Sequence, residues 1–365
     1  MKKEQPVIWH RFFFLAFAGI SVITGLTAAL ALLGYLGGTR AASLAVDHGP
    51  LMIFGFVGGA IGLERTVAVR TRWAWAGPAL SALGVLTLLA GLPVAVPALA
   101  FCASFLVLGA VYATVHRRQA TAAVIAQAAG VIGAVSATLI WGFGAGGFAL
   151  AMPPAVVFVV ATIIGERLEL ARIPVTAGNP EPVITALVLA LAAAGLLFIL
   201  APDTGYVLMG GLLVAIAVVT ARVDVARRLI RATGLPRFSA ACMLAGYGWL
   251  ATAGLLWVAF GRTSTGFGYD AAVHAIFLGF VISMIFAHAP IILTAVIRRP
   301  LPYHPVMYLA VALLHGGLAL RLVGDARAAV GLWQTGGVLN VLAVLAFLAT
   351  GVTLSVRASR RRARR

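Results

Sequence analysis

Runs of about twenty apolar residues, each closed by a short polar or basic loop, follow one another along this chain, the pattern of repeated bilayer crossings. Twelve runs are predicted, at roughly 11 to 34, 48 to 68, 75 to 93, 96 to 116, 121 to 143, 147 to 168, 182 to 201, 205 to 222, 238 to 260, 270 to 296, 304 to 321 and 333 to 356. The expectation is an all-α polytopic membrane protein of twelve transmembrane helices, with residues 1–365 forming one transmembrane domain. A finer pattern lies within the runs. Phe56-Val57 is followed after six residues by Glu64, Phe158-Val159 after six by Glu166, and Phe280-Val281 after six by His288. A polar residue at one offset in every fourth run predicts three pseudo-repeated groups of four helices, about 11–116, 121–222 and 238–356.

Composition agrees, with 62% hydrophobic and 10% charged residues. The mean hydropathy is +1.05, which excludes a soluble globular domain. A net charge of +17 would suggest nucleic acid in a soluble protein, but no nucleic-acid motif accompanies it. The charge instead sets topology. If alternate loops lie on alternate sides, only Arg40, Arg262, Arg321 and Arg327 of the 27 basic residues fall on one side and 23 on the other. The positive-inside rule then puts both termini in the cytoplasm. The basic start and the apolar run after it read as a first helix and not a removed signal, because no small-residue cleavage site intervenes. Cys102 and Cys242 fall in oppositely directed runs near opposite faces, so no disulfide is expected.

The tenth run, within Asp270 to Arg299, carries His274 and His288, 14 residues apart. At about 100° and 1.5 Å per residue they lie within roughly 40° of one face and about 21 Å apart. Ionisable groups inside a membrane are costly and mark candidate sites. His48 opens the second run from the same side as His274. Two imidazoles at similar depth on equivalent helices are what a bis-histidine b-type haem requires. Arg40, Arg262, Arg321 and Arg327 lie on that side and are the candidates to hold its propionates. The competing reading makes His48 a helix cap beside Asp47 and has His274 bond a neighbouring carbonyl.

At the opposite face Glu64, Glu166 and His288 share one register, with Glu169 a turn further on. They are candidates for a metal site or an inward proton relay, against the reading that Glu64-Arg65 and Glu166-Arg167 are local ion pairs. His315, on one face with His304, is a candidate ligand of a second metal or haem, against plain packing. Neither a phosphate-binding glycine loop, a CxxC nor a serine nucleophile motif occurs, and no residue is singled out as catalytic.

Twelve helices in three groups, with histidines on the second and tenth near one face, resemble subunit I of the haem-copper oxidases. The segment His48-Gly49-Pro50-Leu51-Met52-Ile53-Phe54-Gly55-Phe56 is similar to the HxHEMLFGF segment of the NnrS family, haem- and copper-containing membrane proteins linked to nitric oxide tolerance in bacteria. His274 and the turn Arg299-Pro300-Leu301 match that family's histidine-led helix. Pro50 and Leu51 stand where the family has its second histidine and its glutamate, so copper binding does not carry over. The sixth and seventh runs also lack the histidines an oxidase copper centre needs, which argues against a terminal oxidase. The resemblance implies a multi-pass protein of the bacterial inner membrane that binds haem in nitric oxide or other diatomic-gas response, or in electron transfer with a redox partner. The alternative from a different class is a proton-coupled transporter or channel that uses Glu64, Glu166 and His288 without haem.

Overall fold

The computed structural model describes residues 9–170 and 180–363, apart from the side chains of 267 and 361–363. Of the basic residues counted above, Lys2, Lys3, Arg172, Arg364 and Arg365 lie outside that range. The described residues are helical almost throughout. In chain order the helices are α1 Trp9–Leu32, the short α2 Thr39–Val46, α3 His48–Val69, α4 Trp73–Leu89, α5 Ala95–Arg118, α6 Ala122–Phe143 and α7 Gly147–Leu170. They continue as α8 Glu181–Leu200, α9 Pro202–Val223, α10 Gly234–Phe260, α11 Gly268–Ile297, α12 Met307–Ala326 and α13 Val330–Ala363. Among the described residues eleven of these are long and apolar enough to cross a membrane. The expected third run is the exception: α4 is a shorter helix that ends at Leu89, four residues before the predicted limit, where a turn at Ala90-Gly91 precedes Pro93.

Local chemistry sets the boundaries. Thr121 caps α6 by accepting the amide of Val124 at 3.3 Å, and Pro202 opens α9 at a position where its missing N–H costs nothing. Within α3 and α11 the ladder changes character shortly after His48 and directly after His274. Leu51–Gly58 and Ala275–Ile282 are π-helical, with backbone bonds from i to i+5.

The helices pack in sequence order around a centre. α1 packs on α3 and α4, α5 packs on α3 and α4 in turn, α5 meets α6, the group α6 to α9 follows, α9 meets α10, and α13 of the last group returns to α1. α1 is hydrogen-bonded to the last group at both of its ends: Arg11 Nη1 donates to the Val296 carbonyl of α11 at 2.9 Å, and Gln334 Nε2 of α13 donates to the Leu33 carbonyl at 2.8 Å. At the centre lies α7, whose stretch Ala151–Gly165 is buried residue by residue, as expected of a helix apolar on every face. Phe54 on the π segment of α3 ties the first two groups together, with its ring 5.6 to 5.9 Å from those of Phe101, Phe105, Trp141 and Phe148. Outward faces carry large apolar side chains such as Leu106, Ile132, Leu196 and Leu255, which suit lipid and would be untenable in water. The fold is that of a polytopic helical membrane protein.

Candidate functional site

A cavity of about 420 Å³ lies near the end of α1 and the starts of α3, α11 and α13. Its wall draws on α1 (Leu26), α3 (His48, Met52), α7 (Phe148), α11 (Asp270, His274, Phe277), α12 (Arg321) and α13 (Trp333, Val341), so both histidines of the predicted pair face one space. The volume falls in the range of small-molecule and cofactor pockets.

The hydrogen bonds fix how each ring presents itself. His48 Nδ1 lies 2.8 Å from the Gly25 carbonyl of α1, and His274 Nδ1 lies 2.8 Å from the Asp270 carbonyl one turn back. A carbonyl only accepts, so both rings donate from Nδ1. Their Nε2 lone pairs have no hydrogen-bond partner among the described residues, the state in which imidazole binds a metal. The bond of His274 to a neighbouring carbonyl is thus compatible with ligation and does not compete with it. His48 does not cap its helix through Asp47; it reaches across to α1. Burial pushes the Asp47 carboxyl up to about 6.

Behind His274, Asp270 is held rigidly. Arg321 donates Nε and Nη2 to its two oxygens at 2.7 Å each, and Trp333 Nε1 donates to Oδ2 at 3.2 Å. Asp270 Oδ1 is also 3.3 Å from His274 Nδ1. The Arg321 guanidinium stacks over the Trp333 ring, 5.2 Å from its centroid. Of the four arginines expected to serve propionates, Arg321 alone reaches the cavity, and its fork is already committed to Asp270. Its Nη1, which Asp270 does not use, lies against Gly337 on the cavity wall. Arg40, Arg262 and Arg327 are exposed and do not line it.

The second expected constellation separates into two. His288 does not join the glutamates. Its Nδ1 donates to the Met284 carbonyl at 2.7 Å and its Nε2 accepts from Arg167 Nη1 at 3.0 Å, so both nitrogens are used. Arg167 binds Asp224 through Nε and Nη2 at 3.1 and 3.0 Å, and Tyr247 donates its hydroxyl to Asp224 at 2.6 Å. Burial pushes the Asp224 carboxyl up, but Arg167, Tyr247 and the Ala226 amide outweigh it and hold the group below the ordinary carboxylate value. Glu64 and Glu166 belong instead to a cluster about Arg65, which pairs with Glu169 at 2.8 Å.

His315 is also fully committed. Trp249 Nε1 donates to its Nδ1 at 2.9 Å, which leaves Nε2–H for Ser283 Oγ at 3.3 Å, and Ser283 donates onward to the Cys242 carbonyl at 2.8 Å. It packs and has no lone pair for a ligand. His304 Nδ1 accepts the Val306 amide at 3.2 Å. Among the described residues no group of three or more His, Cys, Asp or Glu is arranged to hold a metal ion, and the expected grouping of Glu64, Glu166 and His288 does not form. Cys102 and Cys242 are both free and buried.

Sequence reasoning did not assign Asp270, Trp333, Asp224, Tyr247, Tyr112 or Gln127. Only Asp270 leaves a signal, as an acid four residues before a histidine in an apolar run. Against known families, residues 11–356 match the model described as Domain of unknown function (DUF8744). Comparison with curated proteins finds no match.

Proposed function

For a chain that belongs to the DUF8744 family, we propose a haem-binding integral membrane protein in which His48 and His274 are the axial ligands of a b-type haem in the outer cavity. The observation that carries this reading is the pair of Nδ1–H bonds, to Gly25 and Asp270 carbonyls, which leave Nε2 uncommitted on two rings that line one largely apolar cavity. No other histidine buried in the described bundle has that freedom, since His288 and His315 spend both nitrogens on protein partners.

The donor set fits the group. Two neutral imidazoles from different helices can approach opposite faces of a macrocycle, and apolar side chains such as Leu26, Met52 and Phe277 suit its edges. Such a haem supplies a one-electron iron couple. The chain's residues orient it: Gly25 and Asp270 fix the two rings, and Arg321 with Trp333 fixes Asp270. With both axial positions filled the iron has no open site, so electron transfer is the role this arrangement serves. The nitric oxide part of the reading rests on the resemblance to the NnrS family and would require one histidine to leave.

We further infer twelve crossings with both termini in the cytoplasm. Arg118, at the end of α5, donates Nη1 to the Val69 carbonyl at the end of α3 at 3.0 Å, which supports a return of α4 across the bundle between them. At about 1.5 Å per residue, α4 is long enough for the thinner end of the crossing range. The cyclic packing of three successive groups supports the threefold arrangement, and the bias of basic residues supports the orientation and a bacterial inner-membrane location.

Absorption spectroscopy on full-length protein purified from haem-supplied cells tests the central claim. We expect a Soret band that His48→Ala and His274→Ala each abolish and His304→Ala keeps. Native protein without a band sinks the reading; a band that carbon monoxide shifts in the reduced protein replaces electron transfer with gas binding.

A further inference from the structure

The turn from α9 to α10, residues 222–237, carries five arginines and one acid. Arg222, Arg227, Arg228, Arg231 and Arg237 are all exposed, while Asp224 is buried. That acid faces inward. It accepts from Nε and Nη2 of Arg167 on α7 at 3.1 and 3.0 Å, from the Tyr247 hydroxyl at 2.6 Å and from the Ala226 amide at 2.8 Å. Its charge is spent on a sixth guanidinium inside the bundle, and among the described residues no carboxylate forms an ion pair with any of the five outside.

The same bonds pin the turn in place. Ala226 is buried, and Leu229 and Ile230 pack half-buried on the core, so the short helix Ala226–Leu229 and the residues after it leave Arg227, Arg228 and Arg231 to the outside. Arg227 Nη1 donates to the Arg222 carbonyl at 2.9 Å, which holds its guanidinium against the last turn of α9.

The position of the turn says what covers this charge. α9 and α10 are each long and apolar enough to cross a membrane, so the turn between them lies at a bilayer surface. Val223, 39% exposed, follows Arg222 directly. At the other end Phe238 follows Arg237 and packs against Tyr303 and Tyr308, with ring centroids 5.9 and 5.3 Å away. Half-buried tyrosines of this kind sit at the level of lipid headgroups. An acidic protein or a nucleic acid would match the charge but not the exposed valine and the aromatic cluster beside it. An anionic lipid matches both, since arginine lays its stem on apolar surface and offers a planar fork to phosphate.

We propose that residues 222–237 are a binding site for anionic phospholipid, with the lipid phosphate held among Arg222, Arg227, Arg228, Arg231 and Arg237 and the acyl chains against the apolar outer faces of α9 and α10. The site is independent of the haem reading. Asp224 serves it as a positioning residue, because it fixes the turn without touching the lipid.

Native mass spectrometry of the full-length protein in neutral detergent, titrated with phosphatidylglycerol or with phosphatidylcholine, tests it. We expect phosphatidylglycerol to bind the native protein more tightly than phosphatidylcholine, and to weaken about fivefold for each arginine removed in the combined Arg227→Gln, Arg228→Gln and Arg231→Gln variant. A control that removes the same charge from other exposed arginines, Arg70→Gln with Arg72→Gln and Arg117→Gln, should keep the preference. Arg231→Gln alone decides the matter if the triple variant does not fold. Equal binding of the two lipids by the native protein, an unchanged affinity in the Arg227, Arg228 and Arg231 variant, or an equal loss in the control overturns the proposal. Displacement of phosphatidylglycerol by inorganic phosphate at constant ionic strength overturns it in favour of a site for a free anion.

Discussion

His274 and His288 lie on one helix, yet the two ends of α11 treat them in opposite ways. His274 spends only Nδ1, on a carbonyl of its own preceding turn, and offers Nε2 to a cavity. His288 spends Nδ1 in the same manner, on Met284, but its Nε2 accepts from a guanidinium already fixed by Asp224. The first is a ring held in place with one valence open, the second a closed bond in a buried ionic lock. The residue type, the helix and the i−4 carbonyl bond are common to both; what differs is what stands opposite Nε2. A histidine in an apolar span therefore acquires its role from its second nitrogen.

Substitutions can break this comparison in order of effect. The largest is all or none: His274→Ala should lose the Soret band entirely, whereas His288→Ala should retain it per folded molecule, as read by absorption against protein concentration. Next, Asp224→Ala leaves Arg167 buried without its carboxylate, and should lower stability by about 3–5 kcal/mol in a denaturant titration, with the spectrum of the surviving folded fraction unchanged. Asp270→Asn should be graded. It keeps the His274 carbonyl bond but removes the charge that fixes Arg321 and backs the ring, and should weaken haem retention by about 10–100-fold in a transfer assay to a haem scavenger. The smallest is Trp249→Phe, which takes one donor from His315 and should cost about 1 kcal/mol in the same titration without spectral change. A His288→Ala variant without haem but fully folded would erase the distinction drawn here.

Much of this was legible in the chain. Apolar run length gave eleven of the described helices, and the His48 and His274 pair was readable because both enter from one side at similar depth. The separation of His288 from the glutamates was not. Spacing at 3.6 residues per turn puts His274 and His288 within roughly 40° of one face. The π-helical segment Ala275–Ile282 lies between them, and a wide turn delays the phase by about one residue, or roughly 100° per inserted residue. No residue in Ala-Ile-Phe-Leu-Gly-Phe-Val-Ile announces that change. Arg321 shows a second limit: charge counting put it on the sparsely charged side, but could not show that Asp270, 51 positions earlier, would take its fork. Asp224 and Tyr247 were unreadable for the same reason, since their pairing depends on which helices become neighbours.

The order in which the cavity wall appears during synthesis follows from its composition. Leu26 and His48 emerge early, but Trp333 and Val341 belong to the last helix, and the seal between Leu33 and Gln334 joins residues 301 positions apart. No nascent chain that stops short of α13 can enclose the space between the two histidines. Loading of any occupant is thus a late event in biogenesis, after translation has delivered the final span.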